Sequence, residues 1–85
     1  MKEQQIQKKI INKLESEGWY VIKLIKTNKN GVADLLALKD KEKPFFIEVK
    51  TPTGKLSELQ KFRIKEQIER GFNAIATNNV NLEAL

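Results

Sequence analysis

"FFIEVKTPTGKLSELQ", residues 45–60, runs from a strand through Thr51-Pro52-Thr53-Gly54 into a helix, and the strand decides the fold. A strand with one dry and one wet face alternates apolar and polar residues. Here Phe45, Ile47 and Val49 form one apolar row, while the other reads Phe46, Glu48, Lys50. A wet face has no need of Phe46, and a dry face has no place for a lone carboxylate. Glu48 therefore needs something to balance it.

Working outward, Pro44 to Lys50 is this strand and Val32 to Leu38 the one before it, joined across Lys39-Asp40-Lys41-Glu42-Lys43 as a hairpin with a longer loop. Leu56 to Arg70 reads as a helix ending at Gly71, and Phe72 to Thr77 as a short last strand. Upstream, residues 2–17 place Ile6, Ile10 and Leu14 at i, i+4, i+8, an amphipathic helix with Gly18 positioned to end it; Glu3 lies on the same stripe. Trp19 to Lys26 is β-branched and aromatic, a strand followed by the polar loop Thr27 to Gly31. The order α-β-β-β-α-β predicts one small α/β domain over residues 1–85, a central mixed sheet flanked by helices.

Composition narrows the chemistry. The chain has 85 residues, Lys+Arg 16 against Asp+Glu 11, a net charge of +5, no cysteine and no histidine. Disulfides, ordinary zinc sites and histidine acid–base chemistry are excluded, so catalysis would rest on carboxylates, lysine and a hard cation. The basic balance favours an anionic partner. No apolar run approaches the length of a membrane span, and the first residues are charged where a signal peptide is apolar, which predicts a cytoplasmic protein without a membrane partner.

An antiparallel pair centred on Lys41 matches residues whose numbers sum to 82. Asp34 then falls opposite Glu48, Leu36 opposite Phe46 and Leu38 opposite Pro44, with Lys50 next to Glu48 on the same face. Directly opposed like charges destabilise a sheet unless something offsets them. A divalent cation held by both carboxylates and a backbone carbonyl does so, and the chemistry that fits is phosphodiester hydrolysis, with Lys50 positioned to assist the attacking water. In the second helix the mean direction of Leu56, Leu59, Phe62, Ile64 and Ile68 falls between Gln67 and Arg63, with Gln60 close by. A polar line on the buried side suits a helix that borders a polar cleft.

Gly31-Val32-Ala33-Asp34, Glu48-Val49-Lys50 and Gly54-Lys55-Leu56-Ser57-Glu58-Leu59-Gln60 together resemble the VRR-NUC family of the PD-(D/E)XK nuclease superfamily, over nearly the whole chain. The resemblance implies a restriction-endonuclease-like fold and a Mg2+- or Mn2+-dependent endonuclease that cuts DNA and needs no nucleotide cofactor. It implies Asp34, Glu48, the carbonyl of Val49 and Glu3 as metal ligands, Lys50 as the catalytic lysine and Gln60 as the helix glutamine bordering the site. Ala33 stands where the family usually has proline, which offers no metal-binding atom. Stand-alone relatives imply a homodimer resembling Holliday-junction resolvases, acting on branched DNA in a bacterial or phage-infected cell.

Acid-x-lysine is common on solvated strands, Glu3 equally suits a helix dipole, and Lys26, Lys29, Lys55 and Lys61 serve as surface charge as readily as phosphate contacts. Trp19 and Phe72 read as core. A nucleic-acid-binding module without turnover would use the same basic surface.

Overall fold

The computed structural model describes residues 2–85. Its elements are α1 (Glu3–Ser16), β1 (Tyr20–Lys23), β2 (Leu35–Leu38), β3 (Phe45–Val49), α2 (Glu58–Glu69) and β4 (Asn73–Thr77). The four strands form one sheet in the order β1-β2-β3-β4, antiparallel in the first two pairs and parallel in the last. A parallel pair needs a crossover of a dozen or more residues, and α2 provides it between β3 and β4. The predicted mixed α/β architecture and element order are both present.

The apolar stripe of α1 supplies one side of the core. Ile6, Ile10 and Leu14 pack with Leu35, Ala37, Ile47 and Val49, the row of β2 and β3 residues that faces α1. Trp19 packs edge-on against Phe45 at 6.1 Å, and Phe72 against Phe46 at 5.9 Å, so both aromatics belong to the folded body. Both helices end alike. Gly18 and Gly71 have φ of +93° and +88°, and the next N–H reaches back to close the last turn, Trp19 to the Leu14 carbonyl and Phe72 to the Gln67 carbonyl.

The strands are shorter than the sequence suggests. β1 stops at Lys23, and β2 begins only at Leu35, so residues 24–34 form one long connection. Strand propensity continues through Leu24 and Ile25, but the partner strand does not: Leu24 N–H bonds to the Asp34 carbonyl at 2.8 Å and the chain then leaves the sheet. Two contacts seat this connection on α2. Arg63 Nε donates to the Asn30 carbonyl at 2.8 Å, and Gly31 lies against Leu59 so closely that a Cβ there would stand 2.6 Å from Leu59 Cγ.

The predicted polar line of α2 is its buried face. Gln67 is 5% exposed, and Gln60 and Arg63 are half-buried, whereas Leu59, Phe62 and Ile68 are exposed. The apolar residues therefore flank the seam on both sides.

Candidate functional site

The hairpin register is the one the sum of 82 requires: Leu35 pairs with Ile47, Leu36 with Phe46 and Ala37 with Phe45. The ladder ends one pair short of Asp34 and Glu48. Asp34 N–H instead donates to the Ile47 carbonyl at 3.1 Å, so Asp34 and Leu35 both address one residue of β3. Two residues against one is the arrangement of a bulge, which re-aims a side chain at a sheet end. The Asp34 carboxylate accordingly turns to β3, where Oδ2 accepts the Val49 N–H at 2.8 Å. The two acids come together at the end of the hairpin, though by this slip rather than as a ladder pair.

Glu48 is 3% exposed. Its Oε1 accepts from Gln60 Nε2 at 2.8 Å and lies 3.8 Å from Lys50 Nζ, a charge partner beyond hydrogen-bond length. Gln60 is held in turn by the start of α2. Its Oε1 accepts the Ser57 N–H at 2.9 Å, and its own N–H donates to Ser57 Oγ at 3.1 Å. This reciprocal cap leaves the carboxamide nitrogen free to reach Glu48. Lys50 is fixed from the other side, where its N–H bonds to the carbonyl of fully buried Thr77 at 2.9 Å.

The electrostatics follow from this crowding. Burial pushes the Glu48 carboxyl up to about 7; the Asp34 charge adds to the rise, Lys50 opposes it, and Glu3 adds further. Burial also raises Asp34, against the opposing Val49 N–H and the nearby charges of Lys50 and Lys23. Burial raises both carboxyls and the Asp34 charge adds to the rise at Glu48, so the pair is short of a cation. Their hard oxygen donors suit magnesium or manganese. Among the described residues no group of three acids gathers as a metal cluster. Glu3 opens α1 half-buried, and its negative charge reaches Glu48.

The basic residues divide. Lys26 and Lys29 line a cleft of about 350 Å³ that also includes Thr27, Asn30 and Asp34, so that connection brings cations to the Asp34 side of the pair. Lys55 is exposed just before α2. Lys61 pairs with Glu58 at 3.3 Å and lines a shallow depression with Leu56, Ile64 and Ile68, on a flank of α2 other than the one met by residues 24–34. Two contributors were not anticipated. Lys23 acts on Asp34 from β1, a register hidden behind the long connection, whereas Ser57 was visible as Ser-x-x-Gln, the signature of a reciprocal helix cap.

Comparison with known proteins bears on the fold. The family model described as VRR-NUC domain matches residues 1–80. A solved structure described as a VRR_NUC domain superposes with a TM-score of 0.81 at 26% identity, covering 93% of this chain and 86% of that one. No protein of curated function matches the sequence.

Proposed function

The chain belongs to the VRR-NUC domain family, a nuclease-like family, and we propose that it is a metal-dependent endonuclease hydrolysing phosphodiester bonds in DNA. The observation that carries this reading is the Asp34–Glu48 pair, two acids raised by burial at the mouth of a hairpin with Lys50 beside them. Asp34 and Glu48 would hold Mg2+ or Mn2+, with the Val49 carbonyl and Glu3 as further donors. Bound there, the metal supplies positive charge to the phosphate and lowers the pKa of water.

The chain's own residues do the rest. Gln60 keeps Glu48 in one orientation through the 2.8 Å bond, so the carboxylate needs no reorganisation when substrate arrives. The Lys50 ammonium orients the attacking water and stabilises charge that develops on the phosphoryl oxygens. The water oxygen bonds to phosphorus and gives up a proton to solvent as the bond to the leaving oxygen breaks and that oxygen takes up a proton from solvent, and one DNA strand is cut. Lys26 and Lys29 bind backbone phosphates along the cleft that reaches Asp34, Lys55 extends the basic surface just before α2, and Lys61 adds charge on the other flank of that helix.

A homodimer completes the reading, because one site cuts one strand and a two-fold pair supplies two sites at a fixed distance, as resolving branched DNA requires. No helix among the described residues is long and apolar enough to cross a membrane.

The test is a gel assay of supercoiled, linear and branched DNA with and without magnesium, run beside light scattering. Metal-dependent nicking, strongest on branched DNA and accompanied by a dimeric mass, is expected. Tight binding without cleavage in any metal would establish a binding module instead, and a monomeric mass with DNA present would remove the paired-site geometry.

A further inference from the structure

The face of β3 that carries Glu48 also carries Phe46 two residues earlier, and Phe46 lines a cavity of about 480 Å³ between the sheet and α2. That is within the range of small-ligand sites, about 300–1,000 Å³. Leu36, Val32 and the packed pair Phe46 and Phe72 give it apolar walls. Gln67, 5% exposed, lines it as well, and the Gln67 Oε1 has no hydrogen-bond partner. A buried acceptor left unmade is costly, and a core position would normally hold an apolar residue instead. The rim is cationic. Lys29 and Arg70 border the opening, while Glu66 beside them is neutralised by Arg63 at 3.0 Å.

We propose that this cavity receives one unpaired nucleobase of the DNA strand being cut, packed against Phe46 and Phe72, with the Gln67 carboxamide turning its oxygen, shielded from solvent in the free protein, to accept an edge N–H. The proposal rests on the nuclease reading above and names the substrate feature that reading leaves open. Enzymes that capture an extruded base use these parts, an aromatic or apolar slot and a polar group for the base edge. The cations suit the phosphates on either side of the base. Spacing fits as well. Residues two apart on a strand are separated by about 6.8 Å, and stacked nucleotides rise about 3.4 Å each, so a base in the cavity lies within about two nucleotides of a phosphate at Glu48. Unpaired bases occur at bulges, flaps and junctions, and the cavity would make such DNA the preferred substrate without any sequence code.

Binding is measured by anisotropy in EDTA, so that the result does not depend on cleavage. The probes are a duplex with a one-nucleotide bulge and the same duplex with that nucleotide abasic. Wild type is expected to bind the base-bearing bulge about tenfold more tightly, the scale of one base stacked on aromatic side chains. A 2-aminopurine in the bulge is expected to change fluorescence on binding. Val32→Trp, which fills the cavity, and Gln67→Leu, which removes the unpaired acceptor while keeping an apolar side chain in place, are each expected to bring the ratio towards one. Circular dichroism identifies a variant that fails to fold, in which case the other decides. Equal affinity of wild type for the two bulges overturns the proposal, as does a ratio unchanged in a folded variant. If wild type shows no ratio and Val32→Trp converts a dimeric mass to a monomeric one, the cavity holds a side chain of a second copy. A protein that discriminates the bulges but cuts no DNA in magnesium refutes the nuclease reading and leaves the base site standing.

Discussion

Gln60 Nε2 and Glu48 Oε1 are joined by a 2.8 Å hydrogen bond across the seam between α2 and β3, and the same carboxamide closes the cap of α2 through Ser57. One side chain thus ties the start of a helix to a buried acid. Disturbing either end should be felt at the other, and the two ends can be separated by substitution.

Gln60→Leu removes both contacts. The expected loss of stability is about 1–2 kcal/mol, the range of a lost helix cap, with cleavage slowed at least about tenfold because Glu48 loses its orienting donor. Gln60→Glu keeps an oxygen for the Ser57 N–H but exchanges the donor for a third negative charge beside Glu48. It should retain most of the helix stability while moving the rising limb of the pH–rate profile upward, since a neighbouring like charge raises a carboxyl's pKa. Equal profiles for wild type and Gln60→Glu would show that this bond does not govern Glu48.

Stability without metal should fall as pH rises. Glu48 titrates near 7 in the folded chain against an ordinary value of 4.5, so the native state binds protons more tightly than the unfolded one. The stabilisation this gives is fully present below about 4.5 and is lost as pH rises through about 7. Urea melts at pH 4.5 and pH 8 in EDTA measure it, with the difference compared between wild type and Asp34→Asn. The variant should show a smaller pH dependence, because the Asp34 charge is one cause of the Glu48 rise. A wild-type protein more stable at pH 8 would refute the assignment.

How far this site could be read from sequence follows from the length of each connection. The hairpin between β2 and β3 is short and symmetric, so its register and the meeting of Asp34 with Glu48 were legible from residue numbers alone. Helical angles likewise found Gln67 and Gln60 on the buried side of α2. The bulge at Asp34 was not legible, because it arises where the ladder gives way to residues 24–34, whose path depends on Arg63 and Leu59 of a distant helix. Lys23 was hidden for the same reason: eleven residues of irregular chain separate β1 from β2, and periodicity carries no register across them.

Divalent metal should stabilise the protein through Asp34 and Glu48 and not through Lys50. A ligand at a hundred times its Kd adds about 2.7 kcal/mol to a state that alone binds it, and each kcal/mol is worth about 4–8 °C in a domain of this size. Thermal melts with magnesium or manganese should therefore show a clear rise in Tm for wild type and none for Asp34→Asn or Glu48→Gln. Both variants, freed of one like charge, should match or exceed the wild-type Tm in EDTA, while losing cleavage altogether. Lys50→Ala should keep the metal-induced rise and lose turnover. Loss of the metal effect in Lys50→Ala would assign the ammonium to assembling the site rather than to the reaction.

The last prediction concerns the connection that brings Lys26 and Lys29 to Asp34. Gly31 has φ of +77°, and an added Cβ would stand 2.6 Å from Leu59 Cγ, so Gly31→Ala meets both a backbone penalty and a collision. The left-handed conformation costs an alanine about 1–2 kcal/mol, and the collision adds to it by forcing residues 24–34 away from α2. Leu59 is 42% exposed, so Leu59→Ala alone should cost little. In the double variant the 2.6 Å collision is gone, while a tight 3.3 Å approach to the Cβ of residue 59 and the backbone penalty remain, so urea melts should show a coupling energy that recovers only part of the loss. DNA affinity separates position from stability. Gly31→Ala should weaken binding because the lysines move, and the double variant should restore it while still less stable than wild type. Simple additivity of the two substitutions would mean that Leu59 does not set the position of this connection.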